Sequence, residues 1–375
     1  MFDSMKISDK TGKVKGPRDG WRAILLALPA LLLIAGCAGT KQSLVATPES
    51  ADGSARRDAG RVFVLPLLKP ALSDEEIQIA RTISPAGYLV FGGAVVSRTQ
   101  FAGLMRAVRG IVPGGDIRVM IDEEGGRVSR LSPLIGRRPS QQERGETGDT
   151  NAERMFAASN ARVLRSFGID MVLAPVADVL FEKESRVLKD RSFGSDPVLV
   201  SRMVRASLRG YRDEKFDCVL KHFPGHGSVA GDTHSEGPVL TKGIAELETG
   251  DLRPYREAAD GGLPFSIMMA HVIWKEIDAS VPASLSDRAV GRARAIPGFK
   301  GLILTDDLSM AAVTNRVPAR EIAVRAVSAG ADLLLYSSDW KVILSAWSNL
   351  GQRLQEDPGL SAKFEESAER RGGRR

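Results

Sequence analysis

The sequence predicts a single (β/α)8 barrel, and three observations lead to this prediction. Short apolar, strand-like runs alternate with amphipathic helical patterns, which is typical of parallel β/α units. There are eight such runs. They lie between residues 61 and 350, a stretch that suits one large domain. Together these points favour a closed barrel over an open doubly wound sheet, which remains the alternative.

The apolar runs give the predicted strands, and the stretches between them give the predicted helices. The strand-like runs lie at 62–66, 88–91, 117–121, 171–174, 218–220, 266–270, 301–304 and 332–336. Helical periodicity occurs at 74–82, 100–108, 152–167, 197–211 and 320–329. Ser73 is placed to cap the first of these helices, and Gly330 to end the last.

Residues 1–36 form a separate segment, which the sequence predicts to be a signal peptide. Basic residues precede an apolar run at 23–35, which leads into Gly36 and Cys37. The run has 13 residues, fewer than the roughly 18 to 20 that a membrane-spanning helix needs. Its end, Leu-Ile-Ala-Gly-Cys, resembles a bacterial lipobox, whose cysteine is diacylated and becomes the mature N-terminus. An ordinary signal peptide with an incidental Cys37 is the alternative.

Residues 37–60 are rich in small and polar side chains and predict a lipidated flexible linker. A coil of this length spans on the order of 25 Å, enough to hold a folded domain clear of a membrane. We therefore expect a lipid-anchored protein of the cell envelope that faces the periplasm or the cell exterior. The C-terminal tail, residues 351–375, is expected to be solvated, with a basic end.

The net charge of +6 arises at the two ends of the chain. Residues 1–36 carry six basic and three acidic side chains, and the last six residues include four arginines, so the remainder has a net charge of −1. This balance removes the main support for a nucleic-acid partner. If Cys37 carries lipid, Cys218 is the one cysteine left, so no disulfide framework is implied.

Polar residues follow four of the predicted strands. The residues after the third, fifth, sixth and seventh runs are Asp122, Lys221 with His222, His271, and Asp306 with Asp307. In barrel enzymes the C-terminal ends of the strands carry the catalytic groups. All four histidines also fall within 50 residues, and three lie in the glycine-rich run at 221–234. Because histidine titrates near neutrality, this run is predicted to belong to an active site.

Five motifs, in this order, resemble those of glycoside hydrolase family 3. They are Ile-Asp-Glu-Glu-Gly-Gly-Arg-Val at 121–128, Arg-Ser-Phe-Gly at 191–194, the histidine run, Ala-His at 270–271 with Pro-Ala-Ser-Leu-Ser at 282–286, and Leu-Thr-Asp-Asp-Leu-Ser-Met at 304–310. The resemblance extends from about residue 61 to 340 and is to the β-N-acetylglucosaminidase branch. It implies an exo-acting, retaining hydrolase without a cofactor, monomeric, that removes N-acetylglucosamine from peptidoglycan fragments or chitin oligosaccharides.

The resemblance also assigns residue roles. Retention requires a carboxylate that attacks the anomeric carbon and a proton donor for the leaving oxygen. The first role falls to Asp306, with Asp307 shaping the turn, and the second to an acid/base dyad of Asp232 and His234. In the dyad the carboxylate orients the imidazole and stabilises its charged form. A simple Asx-turn at Asp232 with a surface histidine is the alternative reading of that pair.

Sugar contacts are expected from carboxylates and cations that fork onto neighbouring hydroxyls. The family match assigns these contacts to Asp122, Arg130, Arg191, Lys221 and His222. The roles of Glu123 and Glu124 stay ambiguous, and relatives usually have glutamine where this chain has Glu123. Asp178 is expected to fix a loop behind the site, and His226 and His271 to be structural.

Three other functions are compatible with parts of the sequence. A zinc hydrolase would use His222, His226, His234 and Asp232, but Pro224 and Gly225 disfavour the helix that an i, i+4 pair needs. A non-catalytic, glycan-binding envelope lipoprotein would need neither Asp306 nor the dyad. An N-acetylglucosaminide phosphorylase would keep the same residues and use phosphate in place of water.

Overall fold

The computed structural model describes residues 58–112, 117–182, 185, 187–229 and 237–372. Its main sheet contains the parallel strands β1 (Phe63–Leu67), β2 (Gly87–Val90), β3 (Arg118–Ile121), β4 (Met171–Val172), β5 (Asp217–Phe223), β6 (Ser266–Met269), β7 (Ile303–Thr305) and β8 (Leu334–Leu335). Each strand pairs with the next one along the chain as far as β7, and β8 pairs with β1. An isolated bridge between Leu304 and Leu333 links β7 to β8. The predicted barrel is confirmed, and each predicted run coincides with one strand.

The described part of the chain contains thirteen α-helices. They are α1 (Asp74–Ile83), α2 (Arg98–Ile111), α3 (Ser132–Ile135), α4 (Gln141–Thr147), α5 (Thr150–Ser166), α6 (Pro197–Asp213), α7 (Ile244–Thr249), α8 (Arg253–Asp260), α9 (Asp287–Arg294), α10 (Ala311–Thr314), α11 (Ala319–Ala329), α12 (Trp340–Glu356) and α13 (Pro358–Gly372). The five predicted helices correspond to α1, α2, α5, α6 and α11.

The predicted helix ends are also observed. Ser73 accepts a hydrogen bond from the backbone of Glu76, whose side chain accepts one from the backbone of Ser73, so the two form a capping box. At the end of α11, Gly330 adopts a φ of 100°, in the left-handed region that favours glycine.

Two apolar clusters fill the two sides of the barrel wall. The inner cluster takes one or more residues from every strand, among them Val64, Leu89, Met120, Met171, Val219, Met268, Leu304 and Leu335. The outer cluster joins the other faces of the strands to the helices. Because the strands are buried on both faces and the interior is filled, polar side chains collect at the C-terminal ends of the strands.

The C-terminal segment differs from the expectation of a solvated tail. Helix α12 continues past residue 350, and α13 follows it. Arg370 Nε donates to Asp332 Oδ1 at 2.8 Å, and Arg371 Nη1 donates to the Asp332 carbonyl at 3.2 Å. The buried Asp332 carboxylate also accepts from Arg294 and from the backbone of Ile303. The prediction of a solvated basic end is therefore wrong for Arg370 and Arg371. These two side chains join α13 to Asp332, just before β8.

The predicted signal peptide, Cys37 and the linker up to residue 57 lie outside the described residues. No helix in the described part of the chain is both long enough and apolar enough to cross a bilayer.

Candidate active site

A cavity of about 510 Å³ lies at the C-terminal ends of the strands. Its polar lining includes Asp122, Arg130, Arg191, Lys221, His222 and Asp306. The structure thus brings together all five predicted sugar-contacting residues and the predicted nucleophile. The predicted dyad residues, Asp232 and His234, lie outside the described residues.

Two carboxylates and two cations are in contact at the cavity: Asp122, Arg191 and Lys221 line it, and Glu124 is buried against the two cations. Lys221 Nζ lies 2.6 Å from both Asp122 Oδ1 and Glu124 Oε1. Arg191 donates two hydrogen bonds of 2.8 Å to the two oxygens of Glu124, the bidentate geometry that a guanidinium favours. Only 1% of the Glu124 side chain is exposed. Burial raises the pKa of Glu124, but the charges of Arg191 and Lys221 outweigh it and hold the pKa far below its usual range.

A short antiparallel hairpin brings Glu124 to Arg191 and Lys221. Residues Glu123–Gly125 pair with Val128–Ser129 directly after β3. Successive side chains on a strand point to opposite faces, so Glu124 reaches Arg191 and Lys221, whereas Glu123 bonds to Ser129 and to the backbone of Leu131. The two acids whose roles the sequence left ambiguous therefore have different partners.

Asp178 fixes the orientation of His222 from behind the cavity, as predicted. Its Oδ2 accepts from His222 Nδ1 at 2.7 Å and from the backbone of His222, and its Oδ1 accepts from the backbone of His226. His222 Nε2 lies 3.5 Å from Arg191 Nη2. Because a carboxylate accepts, Nδ1 is the donor in its contact with Asp178, and this bond orients the ring with Nε2 toward Arg191.

Asp306 follows the last residue of β7. Its backbone N–H donates to the carbonyl of Met269, and its Oδ1 accepts from the backbone of Asp307 at 2.8 Å. Burial raises the pKa of Asp306, but its electrostatic interactions with His222, His271 and the charged Lys221, together with the hydrogen bond from the Asp307 N–H, outweigh the effect of burial, so the pKa lies below the usual value. The side chain is therefore ionised at neutral pH.

Asp307 has different partners. Its Oδ1 accepts from the backbones of Ser309 and Ser337 at 2.9 Å each, and its Oδ2 accepts from the Ser337 hydroxyl. These contacts match the predicted role in shaping the turn.

The remaining two histidines differ in their contacts. His271 Nε2 donates to the Asp307 carbonyl at 2.9 Å, and its Nδ1 lies 2.7 Å from the Ser284 hydroxyl. Burial lowers the pKa of His271, so the neutral ring supports the turn, as expected of a structural residue. His226 lines the cavity, and neither of its ring nitrogens has a hydrogen-bond partner among the residues described here.

The residue that fixes the backbone of Glu124 was not predicted from the sequence. Arg144, on α4, donates from both terminal nitrogens to the Glu124 carbonyl at 3.2 Å and from Nε to Glu153 at 2.7 Å. Its guanidinium carbon lies 3.9 Å from the ring centre of Phe156, within the range of a cation–π contact. Arginine on a short polar helix has no sequence pattern that would distinguish this role.

Across the described ranges, no group of three or more histidine, cysteine or acidic side chains is arranged to hold a metal. His222 and His226 have ring centres 6.1 Å apart, and His222 Nδ1 is already bonded to Asp178. The other two residues of the zinc alternative, Asp232 and His234, lie outside the described residues.

Carboxylates and cations gathered at the C-terminal rim of the barrel lie where barrel enzymes carry their catalytic groups. The sequence model described as the glycosyl hydrolase family 3 N-terminal domain matches residues 64–370. The chain belongs to glycoside hydrolase family 3.

Two similar proteins carry the names β-hexosaminidase and β-N-acetylglucosaminidase. The β-hexosaminidase LpqI of Mycobacterium tuberculosis is 40% identical over 259 residues, which span 66% of this chain and 66% of the relative. The chain thus covers just under two thirds of that relative's length. The solved structure of M. tuberculosis LpqI matches with a TM-score of 0.73 and 34% identity. The match covers 84% of this chain and 92% of the LpqI chain. A family 3 β-N-acetylglucosaminidase from Paenibacillus has a TM-score of 0.78 and 28% identity, with coverage of 84% and 62%.

The ion network generates a prediction about acid stability. Replacing Glu124 by glutamine leaves Arg191 and Lys221 with one anion fewer, and we expect the free energy of unfolding at pH 7 to fall by about 3 kcal/mol. The folded-state pKa of Glu124 is lowered, so the stability it contributes is fully present above its unfolded pKa of about 4.3 and is lost as pH falls below it, by about 1.4 kcal/mol per unit.

Urea unfolding of the wild type and of Glu124→Gln between pH 7 and 3.5 measures the difference between their free energies of unfolding. This difference should become smaller as the pH falls. Glu146→Gln, an exposed glutamate on α4, is the control and should stay within about 0.5 kcal/mol of wild type throughout. A constant gap between Glu124→Gln and wild type across this range would contradict the prediction.

Proposed function

We propose that the protein is an exo-acting, retaining β-N-acetylglucosaminidase that removes terminal N-acetylglucosamine from a glycan. The observation that carries the proposal is the ionised Asp306 in the same cavity as Asp122, Arg191 and Lys221. A carboxylate with a lowered pKa suits nucleophilic attack, and charged groups around it suit a ring with several hydroxyls. The names of the M. tuberculosis and Paenibacillus relatives support the choice of sugar.

The proposed reaction has two steps with inversion at each. Asp306 attacks the anomeric carbon and forms a glycosyl ester while the bond to the leaving oxygen breaks. His234, oriented by Asp232, gives its proton to that oxygen. It then takes a proton from the water that attacks the ester, and Asp306 is released as a carboxylate.

The remaining cavity residues are proposed to bind the sugar. Lys221 has three N–H groups, two of which face Asp122 and Glu124, so one remains for a hydroxyl. His222 is oriented by Asp178, and Arg191 is held rigid by Glu124. Such fixed donors and acceptors bind a sugar without having to be ordered by it.

The proposed natural substrates are peptidoglycan fragments or chitin oligosaccharides, met outside the cytoplasm. The lipobox-like sequence that ends at Cys37 supports a lipid anchor in the cell envelope.

The nucleophile can be identified by substitution and trapping. Asp306→Ala should lower kcat by on the order of 10⁴ or more without loss of the fold, because the residue lies on the rim. Incubation of the wild type with a 2-deoxy-2-fluoro sugar, followed by peptide mass analysis, should locate the label on Asp306. Asp307→Asn is the matched control and should still be labelled at Asp306. A label on Asp307, Glu123 or Glu124 would overturn the assignment.

The acid/base role of His234 can be tested with a series of aryl leaving groups. General acid catalysis contributes roughly 10² to 10⁴ in rate, and an aryl alcohol of low pKa needs little protonation to depart. His234→Ala should therefore lose most activity on poor leaving groups and little on good ones, with a weaker effect for Asp232→Ala.

Added azide should rescue His234→Ala, and added phosphate should reveal whether N-acetylglucosamine 1-phosphate forms. A leaving-group dependence identical to that of wild type, without rescue, would remove His234 from the mechanism. Accumulation of the sugar phosphate by wild type would favour the phosphorylase alternative.

The anchor is tested with the full chain in a bacterial host that processes lipoproteins. Wild type should sediment with membranes, since two acyl chains give stable attachment, and Cys37→Ser should leave the membrane fraction or stay unprocessed. The specific activity of the soluble protein should be unchanged. Wild type that fractionates with the cytosol and keeps its original N-terminus would contradict the lipid anchor.

A further inference from the structure

Glu123 points away from the cavity and holds the chain on both sides of Arg130. Only 1% of Glu123 is exposed. Its Oε1 accepts from the Ser129 hydroxyl, and its Oε2 accepts from the backbone of Leu131 at 2.9 Å. Residues 129 and 131 flank Arg130 in the chain, so one carboxyl group fixes both neighbours of a cavity-lining side chain.

Arg130 itself has few strong contacts. Its Nη2 lies 3.6 Å from Asp122 Oδ2, and its backbone N–H is 3.4 Å from the Asp122 carbonyl. Its buried Nε has no hydrogen-bond partner within the described ranges, and 31% of the side chain is exposed. Contacts of this length fix a side chain weakly. The direction of Arg130 therefore depends on how its backbone is held.

Other contacts of Glu123 stabilise the same arrangement. Burial raises the pKa of Glu123 above its usual value, and the two hydrogen bonds together with the charges of Arg138 and Arg130 offset only part of this effect. Its backbone carbonyl lies 3.4 Å from Asn160 Nδ2, on α5. The hairpin itself packs closely, since a Cβ on Gly126 would lie 2.7 Å from Asp190 and from Ser140. Glu123 thus lies on the buried side of a rigid turn, and Val128 and Arg130 on its other side line the cavity.

We propose that Glu123 is a positioning residue that sets the direction of Arg130, and through it the affinity for the sugar. Two hydrogen bonds to the residues on either side of Arg130 perform this role. The bond geometry matters more than the charge, because a glutamine can accept from Leu131 through its oxygen and donate to Ser129 through its nitrogen. The inference rests on the proposed glycosidase function for its kinetic readout alone.

Kinetics on an aryl N-acetylglucosaminide test the role of Glu123. Glu123→Ala leaves the Leu131 N–H without its acceptor, and kcat/KM should fall roughly tenfold or more, mainly through a higher KM. Glu123→Gln should recover most of the loss. The matched control is Asp332→Ala, a buried carboxylate that also accepts from a backbone N–H, at the opposite end of the barrel. It should lower the melting temperature and leave KM unchanged.

A double-mutant cycle separates positioning from a general structural effect. In an Arg130→Ala background, Glu123→Ala should cause little further loss, because the residue through which it acts is gone. An equal loss in both backgrounds, or a Glu123→Gln variant as impaired as Glu123→Ala, would overturn the inference. If Glu123→Ala does not fold, Ser129→Ala removes one of the two bonds and should show a smaller KM increase that disappears without Arg130.

Hydrogen exchange gives a readout that does not depend on activity. The peptide covering residues 126–134 should lose protection in Glu123→Ala and keep it in Glu123→Gln. An inactive wild type would contradict the proposed function, whereas unchanged protection in an active Glu123→Ala variant would contradict the role of Glu123.

Discussion

The arrangement of this site depends on the mutual neutralisation of four buried or half-buried charges. Lys221 comes from β5, Arg191 from the segment between β4 and α6, and Asp122 and Glu124 from the end of β3. An isolated carboxylate at the depth of Glu124 would take up a proton. Glu124 keeps its charge because Arg191 and Lys221 are present. Since removing one partner leaves the others uncompensated, the network also requires these three parts of the chain to meet in one register.

Acids that are adjacent in this chain have different partners and different roles. Asp306 and Asp307 are neighbours in the chain, but the second is fully engaged by Ser309 and Ser337. The first has one backbone partner on its carboxylate and lines the cavity. Glu123 and Glu124 divide in the same manner on a two-stranded hairpin. In both pairs the backbone directs the two neighbouring acids to different partners.

The sequence predicted much of this architecture, and the reasons are physical. Buried parallel strands are short apolar runs, so all eight could be located, and rim residues follow directly from where the strands end. Short helices such as α7 and α10 were not predicted, because tertiary packing stabilises them more than their own sequence does. The role of Arg144, the contacts of Arg370 with Asp332 and the opposite directions of Glu123 and Glu124 depend on parts of the chain that meet only in the folded state. The cis peptide bond between Lys221 and His222 likewise has no sequence signal.

The contacts of α13 have a consequence for how the enzyme can be attached to other objects. The described chain starts just before β1, and α13 ends beside Asp332, just before β8. Both points lie at the N-terminal ends of the strands, on the side of the barrel away from the cavity. A bead, an electrode or a second protein joined at either point would therefore sit behind the catalyst and leave the entrance open to long polymers.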